Sequence, residues 1–295
     1  MEKYIIKRNS IMINRLLDFL ETSYTAYHAV ENAKQLLLGN GFIALSETDD
    51  WAIEEGGKYF VERNGSSLVA FTVGALDDFS FKIVASHTDS PALKLKENAV
   101  TLAGPYAKLN AETYGGGIYY SFFDRPMKIA GRVVTNENGV LKSETATSEY
   151  FVTVPSLAVH MNRSVNDGFA VNPQIDLLPL FALTDGETAP DFLVGLTEKT
   201  PVSYDLYVVN ADKPYLFGLN NEFAASPRID NLTSVWSSLE SLAAHAPSGG
   251  VCVAACLDNE EVGSQTLQGA GGDLLENVLR RIAYALKFDD NEYYK

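Results

Sequence analysis

Phe79–Ser86, FSFKIVAS, runs into His87-Thr88-Asp89-Ser90, and Val251–Leu257, VCVAACL, runs into Asp258-Asn259-Glu260-Glu261. Both runs have the length and apolar content of strands. Each ends in a polar cluster, which is where an α/β sheet presents its chemistry. The first reads as a central strand and the second as a buried one. Helical spacing surrounds them. Residues 10 to 38 place Leu16, Leu17, Phe19 and Leu20, then Tyr27, Val30, Ala33, Leu36 and Leu37, on apolar faces. Ser23 and Thr25 break this span into two helices, one of them supplying an N-cap. Lys58–Val61 and Ser67–Val73 alternate as short strands. From Ile229 a helix carries Leu232, Val235, Trp236, Leu239 and Leu242, Pro247-Ser-Gly-Gly250 turns the chain, and Asp273 caps a last helix bearing Leu274, Leu275, Val278, Leu279, Ile282 and Leu286.

From about residue 97 the texture changes. Met127–Thr135, Val140–Ser143, Tyr150–Val154 and Val202–Val209 are short, β-branched and separated by Gly, Asn and Asp turns, while Phe169–Leu183 is ambiguous. The sequence therefore predicts one α/β domain, formed by residues 1–96 and 223–295, split by a β-rich insertion over residues 97–222.

The composition fits a folded chain: 46% of the 295 residues are hydrophobic and 21% charged. Lys and Arg number 23 against 38 Asp and Glu, a net charge of −15 that repels nucleic-acid phosphate and anionic lipid. No nucleic-acid or membrane partner is expected. Near the N-terminus Asn14, Arg15 and Asp18 interrupt the apolar stretches, and nowhere do 18 apolar residues run together. Cys252 and Cys256, four apart on one strand face, are too distant to bond and read as reduced core residues of a cytoplasmic protein.

Three element boundaries carry candidate chemistry. A neutral His87 is a good zinc ligand, and Asp89 could orient it through its other ring nitrogen. Three carboxylates crowd Asp258 to Glu261, where they repel one another unless cations or solvent intervene. Asp230 opens the Leu232 helix. Each has an ordinary alternative: a chance His-x-Asp, a solvated loop, a helix-terminal acid stabilised by the dipole. Together, one imidazole and several carboxylates match the ligand types of a hydrolytic zinc site. His28 and His245 read as structural or solvated, and His160 stands isolated in the insertion. Tyr114-Gly-Gly-Gly117 lacks the Lys-Ser/Thr of a phosphate loop and reads as a tight turn, and no Gly-x-Ser-x-Gly elbow is present.

At these residues the chain resembles the aspartyl-aminopeptidase family of dinuclear zinc exopeptidases. The matching stretches are Ser86-His-Thr-Asp-Ser-Pro91, Tyr114-Gly-Gly-Gly-Ile118, Phe123-Asp-Arg125 with Ala130-Gly-Arg132, Leu157-Ala-Val-His160, Asn172-Pro173, Arg228-Ile-Asp-Asn231 and Asp258-Asn-Glu-Glu-Val-Gly-Ser264. The resemblance implies a mixed zinc-exopeptidase-like sheet flanked by helices, with the insertion serving as lid and dimerisation domain. It implies that His87 ligates one zinc, Asp230 bridges two, Glu261 ligates the second and Asp89 orients His87. Glu260 becomes the general base. His160 matches a histidine that reaches into a neighbouring subunit's site and helps polarise the scissile carbonyl. The implied activity is removal of the N-terminal residue of peptides, with Asp or Glu favoured in many members, by a homo-oligomer. Two Zn2+ are implied per complete site, and a His and carboxylate set accepts Co2+ or Mn2+ as well. Family chains continue beyond the point matching Lys295 and there carry a further Asp and a final His ligand. The expectation is thus a chain truncated at its C-terminus, with part of the catalytic domain missing and inactive alone. The alternative is a non-catalytic relative acting as an assembly subunit.

Overall fold

The computed structural model describes residues 2–77, 79–245 and 249–294, with side chains from residue 11 onward. In chain order the elements are α1 (Glu2–Thr22), α2 (Ala26–Gly39), β1 (Ile43–Leu45), β2 (Lys58–Arg63), β3 (Ser67–Val73), β4 (Phe81–His87), β5 (Ala92–Ala103), β6 (Tyr106–Tyr114), β7 (Met127–Glu137) and β8 (Val140–Thr147). They continue with α3 (Val165–Gly168), α4 (Pro173–Asp176), β9 (Leu180–Leu183), β10 (Ser203–Asn210), β11 (Tyr215–Phe217), β12 (Phe223–Ala225), α5 (Ile229–Ala244), β13 (Val251–Leu257), α6 (Leu274–Ala285) and α7 (Asp290–Tyr293). The predicted turn at Pro247–Gly250 lies largely outside the described residues. The chain forms two compact units, Met1–Ser90 with Tyr215–Lys295, and Pro91–Pro214.

The first unit is a mixed sheet between helices, in the order β1-β2-β3-β13-β4. β13 runs antiparallel to β3 and parallel to β4. Period-two alternation divides its core cleanly. Phe60, Leu68, Ala70, Ala254 and Cys256 face one layer, where Leu20, Val30, Ala33 and Leu37 of the first two helices meet Leu232, Val235, Trp236 and Leu239 of α5. Tyr59, Val69, Phe71, Val253 and Ala255 face the other, against Leu274, Val278, Leu279 and Ile282 of α6. Coverage on both faces is why β3 and β13 read as continuous apolar runs.

One expectation fails here. Phe79–Ser86, read as a central strand, yields β4, which among the described residues is an edge strand paired with β13 alone. Ile83 and Val84 are 43% and 57% exposed. A strand's own residues do not encode how many neighbours it has, and FKIVA suits either place. The predicted caps are also only positional. Thr25 and Asp273 occupy the N-cap positions of α2 and α6, but neither side chain caps its helix. Thr25 Oγ1 instead meets His28 Nδ1 at 2.9 Å, and Asp273 pairs with Arg63.

The second unit is a six-stranded antiparallel sheet in the order β8-β7-β10-β5-β6-β9, built over Leu93, Leu109, Met127, Ile129, Leu206 and Val208. Its first strand begins at Ala92, a few residues before the change in sequence texture. Tyr150–Val154, expected as a strand, makes only isolated bridges at Val152, Thr153 and Val154. The ambiguous Phe169–Leu183 contains α4 and β9. β7 and β10 approach so closely at Gly131 that a Cβ there would sit 2.0 Å from the Asp205 carbonyl oxygen, so only glycine fits.

Candidate functional site

The parallel register of β4 and β13 sets His87 beside Leu257, so the two polar clusters leave the sheet together. Their turns are locked from below. Thr88 N–H donates to the Leu257 carbonyl at 2.9 Å and Thr88 Oγ1 to the Ser66 carbonyl at 2.7 Å. Asp258 N–H donates to Ser67 Oγ at 2.8 Å. Asn259 then adopts a left-handed conformation (φ 63°), which starts a single 3₁₀ turn, Glu260–Val262.

Asp89 joins the two clusters. Its buried carboxylate accepts the Glu260 N–H at Oδ1 (3.2 Å) and the Glu261 N–H at Oδ2 (3.1 Å). The same Oδ1 lies 3.3 Å from His87 Nδ1, which also meets the Asp89 carbonyl oxygen at 3.1 Å. One acid therefore fixes the imidazole and both glutamate backbones. The other ring nitrogen, Nε2, faces outward to Asp230 Oδ1 at 3.2 Å and Glu260 Oε2 at 3.9 Å. Asp230 and Glu260 are 88% and 59% exposed, whereas the His87 side chain is only 13% exposed. Burial opposes a charge on His87. Asp89, and after it Glu260, outweigh that and push its pKa up to about 9. A cation is thus favoured where these side chains meet, and a proton on Nε2 would compete with any metal there.

Asp230 comes from the start of α5. Its backbone is non-helical (φ −82°, ψ 114°), and its carbonyl accepts the Ser90 hydroxyl at 3.1 Å. A cavity of about 240 Å³ lies along these residues, lined by His87, Asn231, Asp258, Glu260 and Ser264 among others. Five of the six sequence-selected residues, His87, Asp89, Asp230, Glu260 and Glu261, therefore belong to the first unit. Four of them, His87, Asp89, Asp230 and Glu260, approach one another through side chains, and Glu261 joins through its backbone. His160 lies in the second unit, exposed within a turn. Among the described residues no group of three or more His, Cys, Asp or Glu is arranged to hold a metal, and the approach to His87 Nε2 is pairwise. Thr88 and Ser90, which hold the framework, were passed over in the sequence although both lie within its HTDS stretch.

Residues 19–295 match the family described as aminopeptidase I zinc metalloprotease (M18). The chain is 38% identical over 295 residues to a probable M18 family aminopeptidase 2 of Clostridium acetobutylicum, spanning 95% of this chain and 68% of that one. In structure it is similar to the cryo-EM Ape4 and Nbr1 complex, with a TM-score of 0.85 at 34% identity, over 92% of this chain and 59% of that one. It is similar as well to the S. cerevisiae mApe1 dodecamer, with a TM-score of 0.77 at 25% identity, over 95% and 67%. The chain thus spans about two thirds of the length of the curated relative.

Proposed function

The chain belongs to the peptidase M18 family of zinc metalloproteases, and from that premise we propose that it serves the metal-dependent removal of N-terminal residues from peptides. The observation that carries this reading is the double grip of Asp89. It presents His87 with Nδ1 engaged and Nε2 turned toward carboxylates, and it pins Glu260 and Glu261 beside them. An imidazole oriented by a carboxylate, next to acidic side chains, supplies the donor types that zinc accepts, here as pairs rather than as a closed set of three.

In this reading His87, Asp230 and Glu261 would hold the metal. Zinc, when bound, supplies Lewis acidity toward the scissile carbonyl and lowers the pKa of water. Glu260 takes the proton of the attacking water and delivers it to the leaving amine. The exposure of its carboxylate, with its backbone held by Asp89, suits that shuttling. The inserted unit serves assembly into a homo-oligomer, for which the dodecamer of the mApe1 relative is a precedent. His160, exposed in that unit, is its contribution to a neighbouring subunit's site. Cys252 and Cys256 are free, which suits the cytoplasm. No described helix is long and apolar enough to cross a membrane.

The test is release of the N-terminal residue from a peptide panel, headed by N-terminal Asp and Glu, with zinc added. Glu260→Gln runs alongside, because it keeps size and hydrogen bonding but removes the base. The expected result is zinc-dependent release that falls by about 10²-fold or more in the variant; no release from either protein would instead bear out the inactive chain that the resemblance implies. Equal, measurable rates in the two proteins would overturn the reading.

A further inference from the structure

The carboxylate of Asp230 is 88% exposed and meets His87 Nε2 at 3.2 Å, so its placement there depends on that contact and on the backbone that carries it. That backbone is held at Ser90, through the Asp230 carbonyl, and at a second point two residues earlier. Arg228 adopts a left-handed conformation (φ 61°), which a side-chain-bearing residue keeps only where its surroundings impose it. The surroundings here are the junction of α1 and α2. The Arg228 side chain turns inward, its Nε buried. Its Nη2 donates to the Leu20 carbonyl at 3.1 Å, and its guanidinium lies 5.3 Å from the centre of the Tyr24 ring. Tyr24 is in turn held edge-on by His28, with ring centroids 5.9 Å apart. The pocket tolerates the cation because His28 stays neutral at physiological pH: burial, and then the Arg228 charge, pull it down to about 4.

We infer that Arg228 is a positioning residue for Asp230. Its guanidinium, moored on the Leu20 carbonyl and the Tyr24 face, holds residue 228 left-handed and so aims the Asp230 carboxylate at His87 Nε2. The inference rests on the proposed role of Asp230 as a zinc ligand. Neither a lysine nor an aliphatic residue reproduces the mooring, because only a planar guanidinium stacks on the ring while donating sideways to a carbonyl.

The experiment is a zinc titration of the chelator-treated 295-residue chain against a chromophoric competitor, well below the unfolding temperature of each variant. Arg228→Lys, Tyr24→Leu and Asp230→Asn are compared with the parent, with far-UV circular dichroism as the check on folding. Asp230→Asn is expected to weaken zinc binding. Arg228→Lys is expected to weaken it by about 10–100-fold with an unchanged spectrum, the range for removing a group that orients a metal ligand. Tyr24→Leu, which keeps the arginine but removes its platform, is expected to weaken it less, and it carries the test should the lysine variant fail to fold. Weak binding in Asp230→Asn with parental affinity in the other two would overturn the inference while leaving the site intact. A lowered unfolding temperature with unchanged zinc affinity counts as the same refutation. Parental affinity in Asp230→Asn, or no zinc bound by the parent, would overturn the reading of Asp230 and the inference with it.

Discussion

Asp89→Asn removes one charge and replaces one acceptor oxygen with a donor, at a position where three donors converge. Asp89 accepts two backbone N–H groups and faces His87 Nδ1, all within 3.3 Å. An asparagine keeps one oxygen, and its amide nitrogen must then face either a backbone N–H or the imidazole N–H. Hydrogen bonds to a charged group are worth about 1.5–3 kcal/mol, and an orphaned buried donor costs about 1–3. With one bond lost and the remainder weakened, the expected destabilisation is about 2–4 kcal/mol. For a chain of this size that corresponds to a fall in Tm of roughly 3–6 °C. The same change frees the imidazole from its orienting acid, and zinc affinity should drop about 10–100-fold. Thermal unfolding and zinc competition on one preparation read both effects, with Asp212→Asn, at an exposed ion pair with Arg125, as the control. An Asp89→Asn protein whose Tm and zinc affinity both match the parent would refute the double role of this acid.

Three further outcomes follow from the same geometry. Gly131→Ala should cost several kcal/mol in denaturant unfolding, because its Cβ meets backbone rather than a movable side chain; a loss under about 0.5 kcal/mol would contradict the close approach of β7 and β10. His28 is pulled down to about 4 in the folded chain, first by burial and then by Arg228, so the unfolded chain takes up this proton first as pH falls. The stability it contributes is complete above about pH 6.5, declines between 6.5 and 4 and is lost below, by up to about 3 kcal/mol. Relative to the parent, His28→Gln should therefore lose less stability between pH 7 and 4.5, and parallel pH profiles would contradict this. Cys256 is buried, and burial pushes its thiol up to about 11; a Cys252→Ser chain should resist a thiol reagent at pH 8 until denaturant is added, whereas rapid native labelling would contradict the packing.

What was legible in the sequence was legible through periodicity. Leu232, Val235, Trp236 and Leu239 declare α5, and the unbroken run Val251–Leu257 declares a strand covered on both faces. The five first-unit candidates were legible because each stands at the end of such an element. What was not legible depends on partners far away in the chain. β4 lies at the sheet edge because of the strand order, of which its own residues say nothing. Asp89 was read only as the orienter of His87, since the N–H groups it grips belong to Glu260 and Glu261, 171 and 172 residues on. Arg228 enters the sequence analysis only within the Arg228–Asn231 stretch. Only the α1–α2 junction, 208 residues away at Leu20, turns it inward. Asp273 was assigned a cap by position and Arg63 took its side chain; of Ser23 and Thr25, between which the other cap was left open, Thr25 meets His28 instead.

The central claim is that the ends of β4, β13 and the start of α5 together hold zinc. Diffraction from zinc-soaked crystals, collected on both sides of the zinc absorption edge, addresses it directly. The expected result is an anomalous peak about 2.0–2.2 Å from His87 Nε2, with Asp230 oxygen also within ligand distance. Zinc bound elsewhere, with His87 Nε2 still facing only the Asp230 and Glu260 carboxylates, would contradict it.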